Sequence, residues 1–254
     1  MLFPGSRQLR QVALVGALAL VGCGGGHSSG PGYGVFAWRI FDIEDTQFTS
    51  ALLCSQAGAG SVDVTLFDRT GAAVPNSTVT ALCTDGYVST PEVPAGPYTL
   101  QFDLYGDQTV YGNDSTLLDS YYNNTETYPI GPGMSDYRSR VYAPLQVRSF
   151  VVGYTIYYQS VLSTCAAVGA SYVDLDFTVT GSTAVVTSRL PCQYVVGASY
   201  GQGASFPIPF DATSAQWSLY LVDAAGKDIQ SIAGTTVSVS GQADVRLGTQ
   251  TFSL

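Results

Sequence analysis

Side chains that could drive acid–base or nucleophilic chemistry are scarce along these 254 residues. Histidine occurs once, as His27 inside a Gly/Ser stretch, and lysine once, as Lys227 in an expected hairpin turn. A Ser or Cys nucleophile needs a base beside it within the fold, and neither residue is placed to serve. The 19 acidic residues allow many carboxylate pairs, but a glycosidase pair must flank a cleft. No catalytic residue is expected, and the chain reads as non-enzymatic. Metal chemistry has no better footing. There is no CxxC pair and no Asp-x-Asp-x-Asp-Gly loop, and the acidic run around Asp114 and Asp119 lacks calcium-loop spacing. No cofactor is expected.

Cysteine carries the chemistry that remains, at Cys23, Cys54, Cys83, Cys165 and Cys192. Arg7 and Arg10 are the only charges ahead of the apolar run from Val12 to Val21. A positive segment followed by a short apolar one is an export signal, too short to persist as a membrane-spanning helix. The run ends in Leu20-Val21-Gly22-Cys23, which resembles the lipobox of bacterial lipoproteins, where the cysteine thiol is lipidated and becomes the mature N-terminus. An ordinary secretory signal with an incidental cysteine is the alternative. Against it stand the four lipobox positions, the length of the run and the flexible Gly/Ser leash that follows. The expectation is a signal peptide at 1–22, then a lipidated Cys23 and linker at 23–33. Several acyl chains together anchor stably, where one binds only marginally. Gly24 is not the aspartate that resembles an inner-membrane retention signal, so the outer membrane is favoured, with the exposed face left open.

Removing Arg7 and Arg10 with the signal leaves eight basic against 19 acidic residues, a net charge of −11. An acidic surface argues against nucleic acid and against docking on anionic headgroups. If Cys23 carries lipid, four cysteines remain in an oxidising compartment, and three pairings are open. The separations Cys54 to Cys83 and Cys165 to Cys192 are nearly equal, which favours one local bridge in each of two similar units. Zinc is the competing reading, weakened by the lack of a histidine in the body of the chain.

The cysteines set a register for a repeat. Gly58-Ala59-Gly60-Ser61-Val62-Asp63-Val64 lies against Gly169-Ala170-Ser171-Tyr172-Val173-Asp174-Leu175 without a gap. Tyr98 to Leu104 and Trp217 to Asp223 are matching alternating stretches, and 147–152 is set beside 248–254 as the closing strand. Period-two alternation fits strands: Val62, Val64 and Leu66 face a core, as do Val173, Leu175 and Phe177. The fold expected is all-β, two tandem Ig-like or fibronectin-like β-sandwiches, spanning 34–152 and 153–254.

These features resemble the duplicated lipoproteins of myxobacteria. Their units read roughly as a cysteine followed by Gly-Ala, a Val-x-Val strand, a second cysteine and a Pro-Ala-Gly-x-Tyr-Thr turn. Here those elements are Cys54, Gly58-Ala59, Val62-Asp63-Val64, Cys83 and Pro94 to Thr99; the second unit lacks the Pro-Ala-Gly turn. The resemblance implies an architecture and brings no activity.

The stretch from Tyr105 to Tyr142 is long for a connection inside a sandwich. Its tyrosines, with nearby Asn and Asp, have the chemistry of a recognition patch for glycan or protein. Tyr111, Tyr121, Tyr122, Asn123 and Tyr128 are the candidate ligand residues. A polar hairpin extension, with tyrosines shielding the sandwich edge, is the favoured reading of the two. The function expected is a non-catalytic, membrane-anchored envelope protein with a structural or protein-contacting role; the alternative is a carbohydrate-binding lipoprotein.

Overall fold

The computed structural model describes residues 30–139, 142–193, 201–241 and 243–254. The expected signal peptide and Cys23 lie outside the described residues. Most of the described residues lie in strands. The first half holds β1 (Gly32–Asp42), β2 (Ala51–Leu52), β3 (Ala59–Phe67), β4 (Val79–Leu82), β5 (Tyr87–Ser89), β6 (Gly96–Gly106), β7 (Leu117–Ile130), β8 (Gly133–Asp136) and β9 (Tyr142–Val147). The second holds β10 (Ser149–Tyr158), β11 (Val161–Leu162), β12 (Ala170–Val179), β13 (Val186–Pro191), β14 (Gly201–Pro207), β15 (Ser214–Asp223), β16 (Asp228–Ala233), β17 (Val237–Ser238) and β18 (Val245–Ser253). One short helix, α1 (Gln108–Tyr111), follows β6.

Each half is built from two sheets on the same plan. One sheet runs β4-β3-β6-β7 in the first half and β13-β12-β15-β16 in the second. The other centres on the leading strand: β1 pairs antiparallel with β2 and β5 and parallel with β8 and β9. In the second half β10 pairs antiparallel with β11 and β14 and parallel with β18. The duplication reaches the irregularities. The β3–β6 ladder slips between Ala59 and Ser61, and the β12–β15 ladder between Ala170 and Tyr172, at equivalent places. Gly58 and Gly169, just ahead of these slips, both have φ above +50°, a conformation that a Cβ disfavours.

Alternation decides which face is buried. Val62, Val64 and Leu66 are fully buried, as are Val173, Leu175 and Phe177, while Asp63 and Thr65 point the other way. The bridges Cys54–Cys83 and Cys165–Cys192 both form. Each ties the turn before the first of two paired strands to the segment after the second, β3 and β4 or β12 and β13.

One expectation changes. Residues 149–152, matched above with the chain's last strand, belong to β10, whose neighbours are β14 and β18. The strand equivalent to β18 is β9, which pairs parallel with β1 as β18 does with β10. Val147, Arg148 and Ser149 carry no glycine or proline, so the sequence offers no punctuation where one sheet ends and the next begins. The stretch 105–142, expected as a polar hairpin extension at the sandwich edge, does pair back on the sheet. It contains α1 and the 14-residue β7, hydrogen-bonded along β6 at the sheet edge. Its Asn and Asp residues are poor strand formers, so the ladder to β6 holds this strand where propensity alone would not.

Candidate functional site

The tyrosine–asparagine candidates do not assemble into one surface patch. Tyr111 ends α1 and is buried; its hydroxyl donates to the Pro207 carbonyl at 2.8 Å, across to the second half. Burial pushes its pKa up. Asn123 and Tyr128 are buried too and satisfy each other, with Asn123 Nδ2 donating to Tyr128 Oη at 2.9 Å. Asn123 Oδ1 also accepts the backbone N–H groups of Thr125 and Glu126, and Tyr128 meets Phe36 edge-on. Tyr121 is partly buried and tilted against Phe102. Of the five, Tyr122 alone is exposed, with its ring edge against Phe67. A tyrosine ring is mostly apolar surface, and a buried one needs a partner only for its hydroxyl. Three of the five candidates are therefore interior residues.

The polar residue that organises the most structure is Arg148, the single residue between β9 and β10. It is buried, and its guanidinium faces backbone carbonyls from two loops of the second half. Nη2 donates to the oxygens of Pro209, Phe210 and Ala212 at 3.0, 3.1 and 3.1 Å. Nη1 donates to Gly241 at 2.9 Å and to Val239. Among the described residues no carboxylate pairs with it. Desolvation lowers the Arg148 pKa, and the charge of Asp211 nearby opposes that. The planar five-donor fork of arginine suits such a cage, where the compact ammonium of lysine does not.

Two half-buried carboxylates flank this residue. Asp119 on β7 accepts the backbone N–H of Gln146 at 2.7 Å, and Asp244 accepts that of Ser149 at 2.7 Å. Burial pushes both carboxyl groups up to about 6. For Asp119 the neighbouring Asp103 adds to the rise; for Asp244, Asp42 and Glu44 add to it while Arg246 opposes it. Around them the halves are joined further by Phe210 N–H to Leu117 O at 2.7 Å and by an Arg246–Glu44 ion pair at 2.6 Å.

Cavities open on both sides of the loop 209–212. One of about 290 Å³ is lined by residues that include Tyr111, Asn113, Thr116, Ser182 and Asp211. The other, about 330 Å³, is lined by Gln146, Arg148, Phe210, Asp211, Thr213 and Ser240 among others. A third, of about 390 Å³, lies beside the first disulfide against Trp38, Ile40, Leu52 and Leu53. The junction offers hydrogen-bond acceptance by Asp211, side-chain hydroxyls and one exposed ring, Phe210. Among the described residues no group of three or more His, Cys, Asp or Glu could hold a metal ion, and no helix is long and apolar enough to cross a membrane.

One spacing in the sequence bears on catalysis. Gly26-His27-Ser28-Ser29-Gly30 matches the Gly-x-Ser-x-Gly elbow of serine hydrolases. That elbow needs a strand before it and a helix after it, whereas here β1 begins just beyond, at Gly32.

No protein-family profile matches the sequence, and no curated protein matches it. Solved structures with similar architecture do exist. A candidate cell adhesion protein from Bacteroides fragilis is 11% identical, with 89% of this chain and 93% of that one covered at a TM-score of 0.41. A structure described as candidate polysaccharide-binding proteins from Bacteroides thetaiotaomicron is 12% identical, with coverage of 89% and 92% and a TM-score of 0.37. A leucine-rich repeat protein from the same species is 14% identical over 89% of this chain at a TM-score of 0.29, and the match spans 27% of that protein's length. Likeness at this level is one of β-rich architecture and carries no function across.

Proposed function

We propose that the chain is a non-catalytic, lipid-anchored protein of the bacterial cell envelope, whose two β-sandwich units act as one stiff body that contacts a protein partner. Cys23 is the attachment point and the Gly/Ser leash the standoff, with the outer membrane as the site. The sequence repeat sets the units at 34–152 and 153–254, and the pairing of β9 with β1 and of β18 with β10 supports drawing their meeting point near Arg148. The observation that carries the proposal is the Arg148 cage. A flexible tether needs no buried cation between its domains, whereas a stalk that keeps a fixed angle between them does need a rigid joint. The adhesin-like names of the similar structures agree with a contact role.

Cell fractionation tests the anchor. The wild-type chain should sediment with membranes and a Cys23→Ala variant should appear in the soluble fraction. Membrane retention of that variant after a carbonate wash would remove the anchor from the account.

A further inference from the structure

We propose that the loop 209–212, with the two cavities beside it, is a binding site for an uncharged oligosaccharide.

The loop is held in a fixed shape. The carbonyls of Pro209, Phe210 and Ala212 all turn to Arg148, and the Phe210 N–H is taken by Leu117. With its backbone committed inward, the loop presents its side chains outward. Phe210 is 50% exposed, and Asp211 lines both cavities. An ordered loop loses little freedom on binding, which favours recognition by a few contacts.

The charge pattern selects the ligand. Among the described residues Asp211 is the only carboxylate lining either cavity, and the Arg148 cation lies under the same loop, close enough for the two charges to interact. Arg148 has spent both terminal nitrogens on carbonyls, so it has little left to offer an anionic ligand. The Arg148 cation under the same loop disfavours a cationic ligand. What remains is an exposed aromatic face, a carboxylate that accepts hydroxyl protons, and the hydroxyls or amides of Asn113, Ser182, Gln146 and Thr213. That set matches a sugar, whose C–H face stacks on a ring while its hydroxyls donate to oxygen acceptors. Volumes of about 290 and 330 Å³ stand at the small end for ligand sites and suit one sugar unit on each side of the loop. The site exists only where the halves meet, since Asn113 and Gln146 come from the first and the loop from the second.

The test is calorimetric titration of the full chain in detergent with soluble hexasaccharides. The neutral probes are cello-, malto-, laminari-, manno- and xylohexaose; the charged ones are hexaglucosamine and hexagalacturonate. Saturable binding of at least one neutral probe is expected at ~1 mM or below. Phe210→Ala and Asp211→Ala should each weaken it about tenfold. Tyr158→Ala, exposed at the end of β10 away from Arg148, should leave it unchanged, and thermal melts should show all three variants folded. The proposal is overturned if no neutral probe binds, if only a charged probe binds, or if both loop variants, still folded, bind like the wild type.

Discussion

Arg148 Nη2 donates to the carbonyl oxygen of Ala212 at 3.1 Å, tying the residue between β9 and β10 to a loop 64 residues further along the chain. Four more carbonyls complete the cage. An alanine at this position leaves several buried carbonyls without donors, each costing about 1–3 kcal/mol if water does not replace the bond. Arg148→Ala should lower stability by about 3 kcal/mol or more in urea denaturation, and Arg148→Lys should fall between it and wild type, since three donors on one nitrogen cannot span two loops. A midpoint for Arg148→Ala within error of the wild type would show that the cage contributes nothing.

The flanking carboxylates give the junction a pH dependence. Asp119 and Asp244 have folded pKa values near 6, above their ordinary value of 3.8. Between those limits the folded chain holds more protons than the unfolded one, so stability falls as pH rises through this window and levels off above it. The melting temperature should therefore rise on acidification from pH 7 toward pH 5, before acid titrates other groups. The double substitution Asp119→Asn with Asp244→Asn should flatten that rise. A wild-type profile already flat over this range would contradict the assignment.

Tyr111 makes a narrower link, one hydroxyl bond to Pro207. Tyr111→Phe keeps the ring and deletes only that bond, at a cost of about 1 kcal/mol. The loss should appear in the unfolding midpoint and leave the far-ultraviolet spectrum unchanged.

The two bridges close separations of 29 and 27 residues. On chain-entropy grounds each stabilises by roughly 3–4 kcal/mol. Removing one by Cys54→Ser with Cys83→Ser should lower the melting temperature without disturbing the second bridge. Peptide mapping without reductant should recover Cys54 with Cys83 and Cys165 with Cys192, and any cross-unit pair would break the two-unit plan.

Much of this framework is legible in the sequence because it rests on local signals. Cysteine spacing predicts both bridges, and alternation such as Val62-Asp63-Val64 predicts strands and their buried faces. The junction is not legible. Every partner of the Arg148 guanidinium is a backbone carbonyl 61 to 93 residues away, and a carbonyl leaves no mark on residue type. Asp119 and Asp244 likewise accept from backbone N–H groups, which any residue supplies. The tyrosine-rich segment misled for the opposite reason. Residue type marked Tyr111, Asn123 and Tyr128 as recognition chemistry, but the pairing of β7 with β6 turns Asn123 and Tyr128 inward, and α1 seats Tyr111 against the second half.

Scanning calorimetry of the wild type and Arg148→Ala side by side tests the stiff joint most directly. If the halves are one cooperative body through Arg148, the wild type unfolds in a single transition with calorimetric and van't Hoff enthalpies equal. The variant should then split into two transitions, one for each half. Two separate transitions in the wild type, or a single undivided one in the variant, would contradict a rigid two-unit body held at Arg148.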